Sequence, residues 1–82
     1  MKKPKSRKTE HSEAMSLKLG QRLVTLRNNR DWTQKELSSR AGLDQGFISR
    51  IEAGKIEPCL GSLATLASAF GISLSDMFKG IS

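Results

Sequence analysis

The sequence predicts an all-α fold, a compact bundle of five helices. Apolar residues recur at helical spacing in several segments, and no segment shows the strict alternation of apolar and polar residues that is typical of a strand. Each helical segment is also bounded by a capping residue, a glycine or an asparagine. The chain has 82 residues, which is the length of one domain, and compact helices bury a core of this size most readily.

The first helix is predicted from about Leu17 onward. Its apolar stripe has the spacing i, i+4, i+7 and consists of Leu19, Leu23 and Leu26. Gly20 lies within this helix and weakens it by about 1 kcal/mol relative to alanine. Two asparagines and Asp31 follow the last leucine and are predicted to end the helix.

Two short helices follow, on either side of a turn that contains Gly42. Thr33 is the predicted N-cap of the first, and Glu36, three residues later, completes a capping box. Gly42 stands where a helix end needs a residue in the left-handed conformation. Asp44 is the predicted N-cap of the next helix, which runs to about Ala53.

Two further helices complete the predicted bundle. An apolar stripe follows Pro58 and consists of Leu60, Leu63, Leu66, Ala67 and Phe70. Gly71 followed by Ile72 predicts a Schellman ending for this helix. Ser73 then caps a last short helix.

The composition favours an anionic partner. Fourteen basic residues against eight acidic ones give a formal net charge of +6, which suits nucleic acid or an anionic membrane surface. No apolar run approaches the roughly 18 residues of a membrane span, and no signal peptide is visible, so no membrane insertion is expected. Cys59 is the single cysteine, which fits a reducing cytosol and predicts a cytoplasmic location.

Five of the cations lie in the first thirteen residues, where Pro4 occurs and Met1 is the last apolar residue. We interpret residues 1–13 as a mobile basic arm and residues 14–82 as the folded domain. Two roles remain open for the arm. It is either a solubilising tail or cloning remnant, or a segment that lies along a phosphate backbone or in a minor groove.

Residues 34–53 have the spacing of a helix-turn-helix motif, in which a short turn with a glycine joins two helices. Five apolar positions are predicted to bury these helices against each other and against the first helix: Leu37, Ala41, Leu43, Ile48 and Ile51. The other residues of the second helix then face outward. That face is about as wide as the major groove of DNA.

Five residues on this face are the predicted base contacts: Gln45, Gly46, Phe47, Ser49 and Arg50. The amide of Gln45 can pair with adenine N6 and N7, and Arg50 can fork onto guanine O6 and N7 or onto a phosphate. Ser49 can bond to either base, and Phe47 can press on a thymine methyl. Gly46 has no side chain, so a thymine methyl or a sugar can approach it. Asp44 would be repelled by phosphate, so helix capping is its expected role.

Five more residues are the predicted phosphate contacts: Thr33, Gln34, Lys35, Arg40 and Lys55. Thr33 and Gln34 lie at a helix N-terminus, where backbone N–H groups bind phosphate well. Each of the three cations can equally be a solvated surface charge.

The stretch TQKELSSRAGLDQGFISRIEAGKIEP, followed by LATLASAFGISLSDMF, resembles the Cro and phage-repressor type of helix-turn-helix domain. The resemblance covers roughly residues 17–79 and implies a lambda-repressor-like fold. It also implies a dimeric transcriptional regulator from a bacterium or phage: a lysogeny repressor, a restriction–modification controller or an antitoxin.

The same resemblance implies two roles for individual residues. Gln34 is expected to contact phosphate and to brace Gln45. Arg27 and Glu52 are expected to form a partly buried ion pair between helices, which removes both from base recognition. The chain departs from the family at Cys59, where a Ser or Thr cap is usual. It also departs at Gly46, which should weaken the recognition helix by about 1 kcal/mol.

The sequence predicts no enzyme. One His in the arm and one Cys in a loop do not form a nucleophile–base pair. No metal-ligand cluster, Gly-rich phosphate loop or dinucleotide fingerprint occurs, so no catalytic residue, metal, cofactor or small-molecule substrate is expected.

The predicted function is regulation of transcription by a homodimer that binds an inverted-repeat operator in double-stranded DNA. The expected dimer interface contains the apolar residues near the C-terminus: Leu74, Met77, Phe78 and Ile81. The alternative is a protein-interaction module of antitoxin type in which DNA binding is secondary. A long partner-binding extension would mark that class, and we expect none beyond Ser82.

Overall fold

The computed structural model describes residues 10–81. The helices in this range are α1 (Glu10–Asn28), α2 (Gln34–Ala41), α3 (Gln45–Glu52), α4 (Leu60–Phe70) and α5 (Leu74–Met77). No strand occurs among the described residues, so the prediction of an all-α bundle of five helices is confirmed.

Helix α1 begins at Glu10, so the boundary that we expected at residue 13 lies inside this helix. Glu10 and Glu13 occupy its first turn, where negative side chains interact favourably with the positive end of the helix dipole. The Ser12 hydroxyl also donates a hydrogen bond to the carboxylate of Glu57, which ties this turn to the segment before α4. The acidic first turn and the hydrogen bond to Glu57 involve no apolar residues. The spacing of apolar residues therefore predicted a start for α1 that is too late. Residues 1–9 of the predicted arm lie outside the described residues.

The predicted N-cap residues and the two predicted C-terminal glycines are confirmed, although Glu36 does not complete the capping box. The side-chain oxygens of Thr33, Asp44 and Ser73 each accept a hydrogen bond from the backbone N–H three residues later, at 3.0, 3.2 and 3.0 Å. Gly42 and Gly71 end α2 and α4 in the left-handed conformation, with φ of 69° and 73°. The loops that set the positions of the helices therefore follow from short local signals.

All five helices contribute side chains to one core. Its buried residues are Leu19, Leu23, Leu26, Leu37, Ile48, Ile51, Leu63, Leu66, Ala67, Phe70 and Met77. Two predictions are wrong here. Leu60 is 67% exposed rather than part of the apolar stripe of α4, because it lies in the first turn of that helix, outside the core. Met77 is fully buried, so it is unavailable to a subunit interface.

Gly20 is the point at which α1 crosses the end of α3. A Cβ atom at this position would lie 2.5 Å from the carbonyl oxygens of both Ile51 and Glu52. Real Cβ atoms essentially never approach a neighbour so closely. Only glycine lets the two helices come this near, and α3 is thereby fixed against α1.

Candidate nucleic-acid interface

Helix α3 has one buried face and one face in solvent. Ile48 and Ile51 are almost completely buried on the side toward α1 and α2. On the opposite side Gln45, Ser49 and Arg50 are exposed. The structure thus brings three of the five predicted base-contacting side chains together on an accessible surface.

The other two predicted base contacts are less open. Phe47 is half-buried and packs against the core, so only part of its ring is accessible. Gly46 is also half-buried although it has no side chain, because the side chains of Asp44 and Arg50 lie over it. The space at Gly46 is therefore already occupied in the free protein.

The predicted phosphate contacts near the start of α2 divide into two kinds. Thr33 and Lys35 are exposed, as is Lys55 after α3. Gln34 is half-buried, and its amide Nε2 donates a 2.8 Å hydrogen bond to Glu52 Oε1. Gln34 therefore bonds to Glu52 through its amide nitrogen, and its bracing of Gln45 stays a prediction.

Arg40 has two partners on the protein itself. Its Nε donates to Glu36 Oε2 at 3.1 Å, and its guanidinium lies over the ring of Trp32, 4.3 Å from the ring centroid. The Trp32 ring in turn stacks on Phe70, with 5.4 Å between centroids, and Arg30 lies over the Phe70 ring. These contacts support a surface role for Arg40 that joins α2 to α4. They also show why Glu36 does not reach back to complete the capping box.

Arg27 and Glu52 form the ion pair that the resemblance implied. Arg27 Nε lies 2.8 Å from Glu52 Oε2, and its NH2 lies 3.0 Å from Oε1. The two side chains are only 15% and 5% exposed. The hydrogen bond to Glu52 raises the pKa of Arg27, and the ion pair places two opposite charges in a largely buried position.

This pair belongs to a larger network that fixes α3. The third donor of Arg27, NH1, binds the carbonyl oxygen of Trp32 at 2.8 Å, just before α2. Because Gln34 also donates to Glu52, one carboxylate connects α1, the start of α2 and the end of α3. Helix α3 is therefore held against both of the helices that it packs on.

Two arginines without a predicted role also have structural partners. Arg22 donates to the carbonyl oxygen of Asp76 at 2.7 Å, and Arg30 to that of Phe70 at 2.8 Å. Both bind carbonyls at the carboxyl-terminal end of a helix, where cations are favoured. The partners lie 54 and 40 residues away along the chain, so no local pattern could reveal them. Part of the positive charge therefore also stabilises the fold.

The described residues contain no group of His, Cys, Asp and Glu side chains that could hold a metal ion. Within residues 10–81 no helix is both long enough and apolar enough to cross a bilayer.

Comparison with known proteins identifies the family. The HTH_3 family model, described as helix-turn-helix, matches residues 23–77, which include α2, the turn and α3. The chain belongs to the HTH_3 helix-turn-helix family. The predicted resemblance to Cro and phage repressors is confirmed, and the chain carries a DNA-binding domain of the kind found in transcriptional regulators.

Several regulators are similar to this HTH_3 chain. The uncharacterised HTH-type transcriptional regulator y4dL of Sinorhizobium fredii is 42% identical over 67 residues, which are 82% of this chain and 31% of that protein. The immunity repressor protein of Bacillus phage phi105 is 35% identical over 57 residues, 70% of this chain and 40% of the repressor. The chain thus spans well under half of either relative.

One solved structure matches this chain over nearly the whole length of the solved protein. The restriction-modification controller protein C.AhdI from Aeromonas hydrophila superposes with a TM-score of 0.77 and 32% sequence identity. The match covers 79% of this chain and 98% of the controller. The arrangement of helices described above is therefore that of a known regulator.

Proposed function

We propose that this chain regulates transcription by binding an inverted-repeat operator as a homodimer, with α3 in the major groove. The single observation that carries the proposal is the geometry of α3. Its apolar side is buried, its end is fixed by the Arg27–Glu52 ion pair, and Gln45, Ser49 and Arg50 are exposed together. A helix presented in this way matches the width of the major groove and the hydrogen-bonding pattern of base edges.

Removal of a predicted base contact and removal of the basic arm should affect DNA binding differently. Gln45→Ala should weaken binding to the operator by roughly 1–3 kcal/mol and leave random duplex DNA unaffected, because the amide recognises a base edge. Deleting residues 1–9 should weaken binding to both duplexes. It should also reduce the slope of log K against log salt by about 0.9 for each phosphate that the arm no longer neutralises.

A salt series by fluorescence anisotropy measures both effects. The operator is first selected from a library of randomised duplexes with the full chain, and a scrambled duplex serves as the random control. Equal weakening on both duplexes for Gln45→Ala would show that α3 does not recognise sequence, and would favour the protein-interaction alternative. An unchanged salt slope after truncation would leave the arm without a role at phosphate.

The proposed dimer follows from the size of α3. Eight residues span about 12 Å, which covers only a few base pairs, and a single small module binds DNA weakly. Two copies related by a two-fold axis would place their recognition helices roughly 34 Å apart, in successive major grooves. A dimer that contacts both halves of a symmetric operator then binds tightly enough to be specific.

The exposed apolar surface beside α4 is the proposed contact between the two copies. Leu60 projects into solvent, and Pro58, Phe78 and Ile81 line a groove next to the amino-terminal half of α1. The groove has a volume of about 330 Å³, enough for a leucine side chain. Phe78 and Ile81 remain from the predicted interface, whereas the buried Met77 does not belong to it.

Leu60→Ser is expected to weaken self-association at least tenfold with no loss of thermal stability, because the side chain is exposed in one copy and buried only between copies. Sedimentation equilibrium in the micromolar range measures the change. Leu17→Ser is the matched control, since Leu17 is also exposed, at 51%, but lies on α1 against Gly54 rather than at the start of α4. A wild-type chain that stays monomeric, alone and on the selected duplex, would refute the dimer.

A further inference from the structure

The first turn of α3 contains a glycine that the backbone does not need. Among the described glycines, those with positive φ are Gly42, Gly54, Gly71 and Gly80, whereas Gly46 has an ordinary helical conformation. A Cβ atom at Gly46 would lie 3.0 Å from Asp44 Oδ2 and 3.3 Å from Arg50 NH1. The missing side chain therefore makes room for two others.

Arg50 reaches this space because of helix geometry. Residues four positions apart lie on the same face, and long side chains in a helix lean toward its amino-terminal end. The guanidinium of Arg50 consequently extends along α3 and comes to lie beside Gly46. That end of a recognition helix is the part that contacts base edges in helix-turn-helix proteins.

Asp44 supplies the complementary group at the same place. Its Oδ2 is fixed as the helix cap by the backbone N–H of Phe47 at 3.2 Å, and an ionised carboxylate has further acceptor positions. Both Oδ2 and the Arg50 NH1 lie within 3.3 Å of a single point, the position of the absent Cβ. No salt bridge joins these two groups among the described residues, so each keeps polar atoms that can bond to a base, and the carboxylate lowers the net attraction of this end of α3 for phosphate.

The pair of functional groups matches one kind of base pair. Guanine presents two acceptors, O6 and N7, to the fork of an arginine, and cytosine presents the N4 donor to a carboxylate. We propose that Asp44 and Arg50, brought together over Gly46, recognise one G·C base pair as a unit, and that Gly46 is the residue that permits this arrangement. Asp44 then has a second role besides capping. The inference rests on the proposed function of α3 as the recognition helix.

The test measures preference at a single base pair. A duplex selected from a randomised library by the full wild-type chain is compared with duplexes in which each G·C pair is replaced in turn by A·T. We expect one pair at which wild type discriminates by roughly 5- to 150-fold. Gly46→Leu and Arg50→Lys should each reduce that ratio toward one, because the first fills the space and the second keeps the charge but removes the fork. Gly46→Ala, with a clash of only a few tenths of an ångström against a flexible side-chain end, should reduce it less.

Asp44→Asn removes the negative charge but keeps the helix cap, because asparagine caps helices as well as aspartate does. This variant should lose discrimination at the same base pair and bind random duplexes more tightly than wild type. Gly46→Leu should keep a melting temperature near that of wild type by circular dichroism, since the gain in helix propensity offsets the displacement of the Asp44 cap. A loss of discrimination in that variant is then not a loss of fold.

A double-mutant cycle distinguishes an effect of Gly46→Leu through Arg50 from a direct clash of the new leucine side chain with DNA. If Gly46 acts through Arg50, Gly46→Leu should have no further effect on discrimination in the Arg50→Lys background. Equal reductions in both backgrounds, or an Arg50-dependent preference for a pair other than G·C, would overturn the inference and leave sequence recognition by α3 intact. Failure of the wild-type chain to select any sequence would instead overturn the proposed function.

Discussion

Arg27→Met is expected to lower the free energy of unfolding by roughly 3–5 kcal/mol. The change leaves the Glu52 carboxylate, which is 5% exposed, with Gln34 as its remaining side-chain donor. A buried charge without its counter-ion is much more unfavourable than a hydrophobic pair in the same place. Because small domains are stable by only about 5–15 kcal/mol, the variant should be close to unfolding at ordinary temperature.

Urea denaturation of wild type and variant measures this change, and Arg40→Met is the matched control. Arg40 also pairs with a glutamate, but its side chain is 49% exposed. Removal of that exposed pair, together with the contact to Trp32, should lower the free energy of unfolding by only about 1 kcal/mol. The double variant Arg27→Met, Glu52→Leu should recover part of the stability, since both charges are then absent.

A DNA measurement distinguishes the structural role of Arg27 from a phosphate contact. At a temperature where the variant is folded, Arg27→Met should bind the operator with an unchanged salt slope. A variant of normal stability with a slope reduced by about 0.9 would assign Arg27 to phosphate instead.

Gly20→Ala is the second substitution with a large expected effect. Alanine forms helix more readily than glycine by about 1 kcal/mol, so the change would be stabilising in an isolated helix. Here its Cβ would lie 2.5 Å from two backbone carbonyl oxygens at the end of α3, which cannot move aside as a side chain can. Helix α1 has to shift, and we expect a net loss of about 1–3 kcal/mol or more despite the gain in helix propensity.

Gly61→Ala is the control for this experiment, because the same chemical change occurs in a helix without the clash. Gly61 lies in the first turn of α4 and is exposed, and the nearest atom to an added Cβ is the Cys59 sulfur at 3.9 Å. This variant should gain roughly 0.5–1 kcal/mol. Changes of the same sign in the two variants, measured by thermal unfolding, would contradict the role given to Gly20.

The local elements of the fold were predictable because their signals are local. A cap such as Thr33 or Asp44 depends on three or four consecutive residues, and the left-handed glycine after a helix depends on fewer still. These features fixed the turn between α2 and α3, and hence most of the candidate DNA surface. The exposure of Gln45, Ser49 and Arg50 followed once the apolar positions of α3 were assigned, whereas the partial burial of Gly46 and Phe47 did not.

What could not be predicted depends on contacts between distant segments. Gly20 suggested only a weaker helix, because its neighbours at Ile51 and Glu52 are brought to it by the fold. Apolar periodicity likewise could not show that Leu60 lies outside the core or that Met77 lies inside it. The position of the Arg50 guanidinium over Gly46 depends on side-chain direction, which no spacing rule specifies.

The stacked rings between α2 and α4 have a consequence for spectroscopy. Trp32 is the single tryptophan of the chain, and it is held between the guanidinium of Arg40 and the ring of Phe70. Its emission therefore reports on one junction of the domain, on the side where α2 meets α4 rather than on the exposed face of α3. Unfolding can be followed through this intrinsic fluorophore while a dye on the duplex follows binding, so stability and affinity can be measured in the same cuvette.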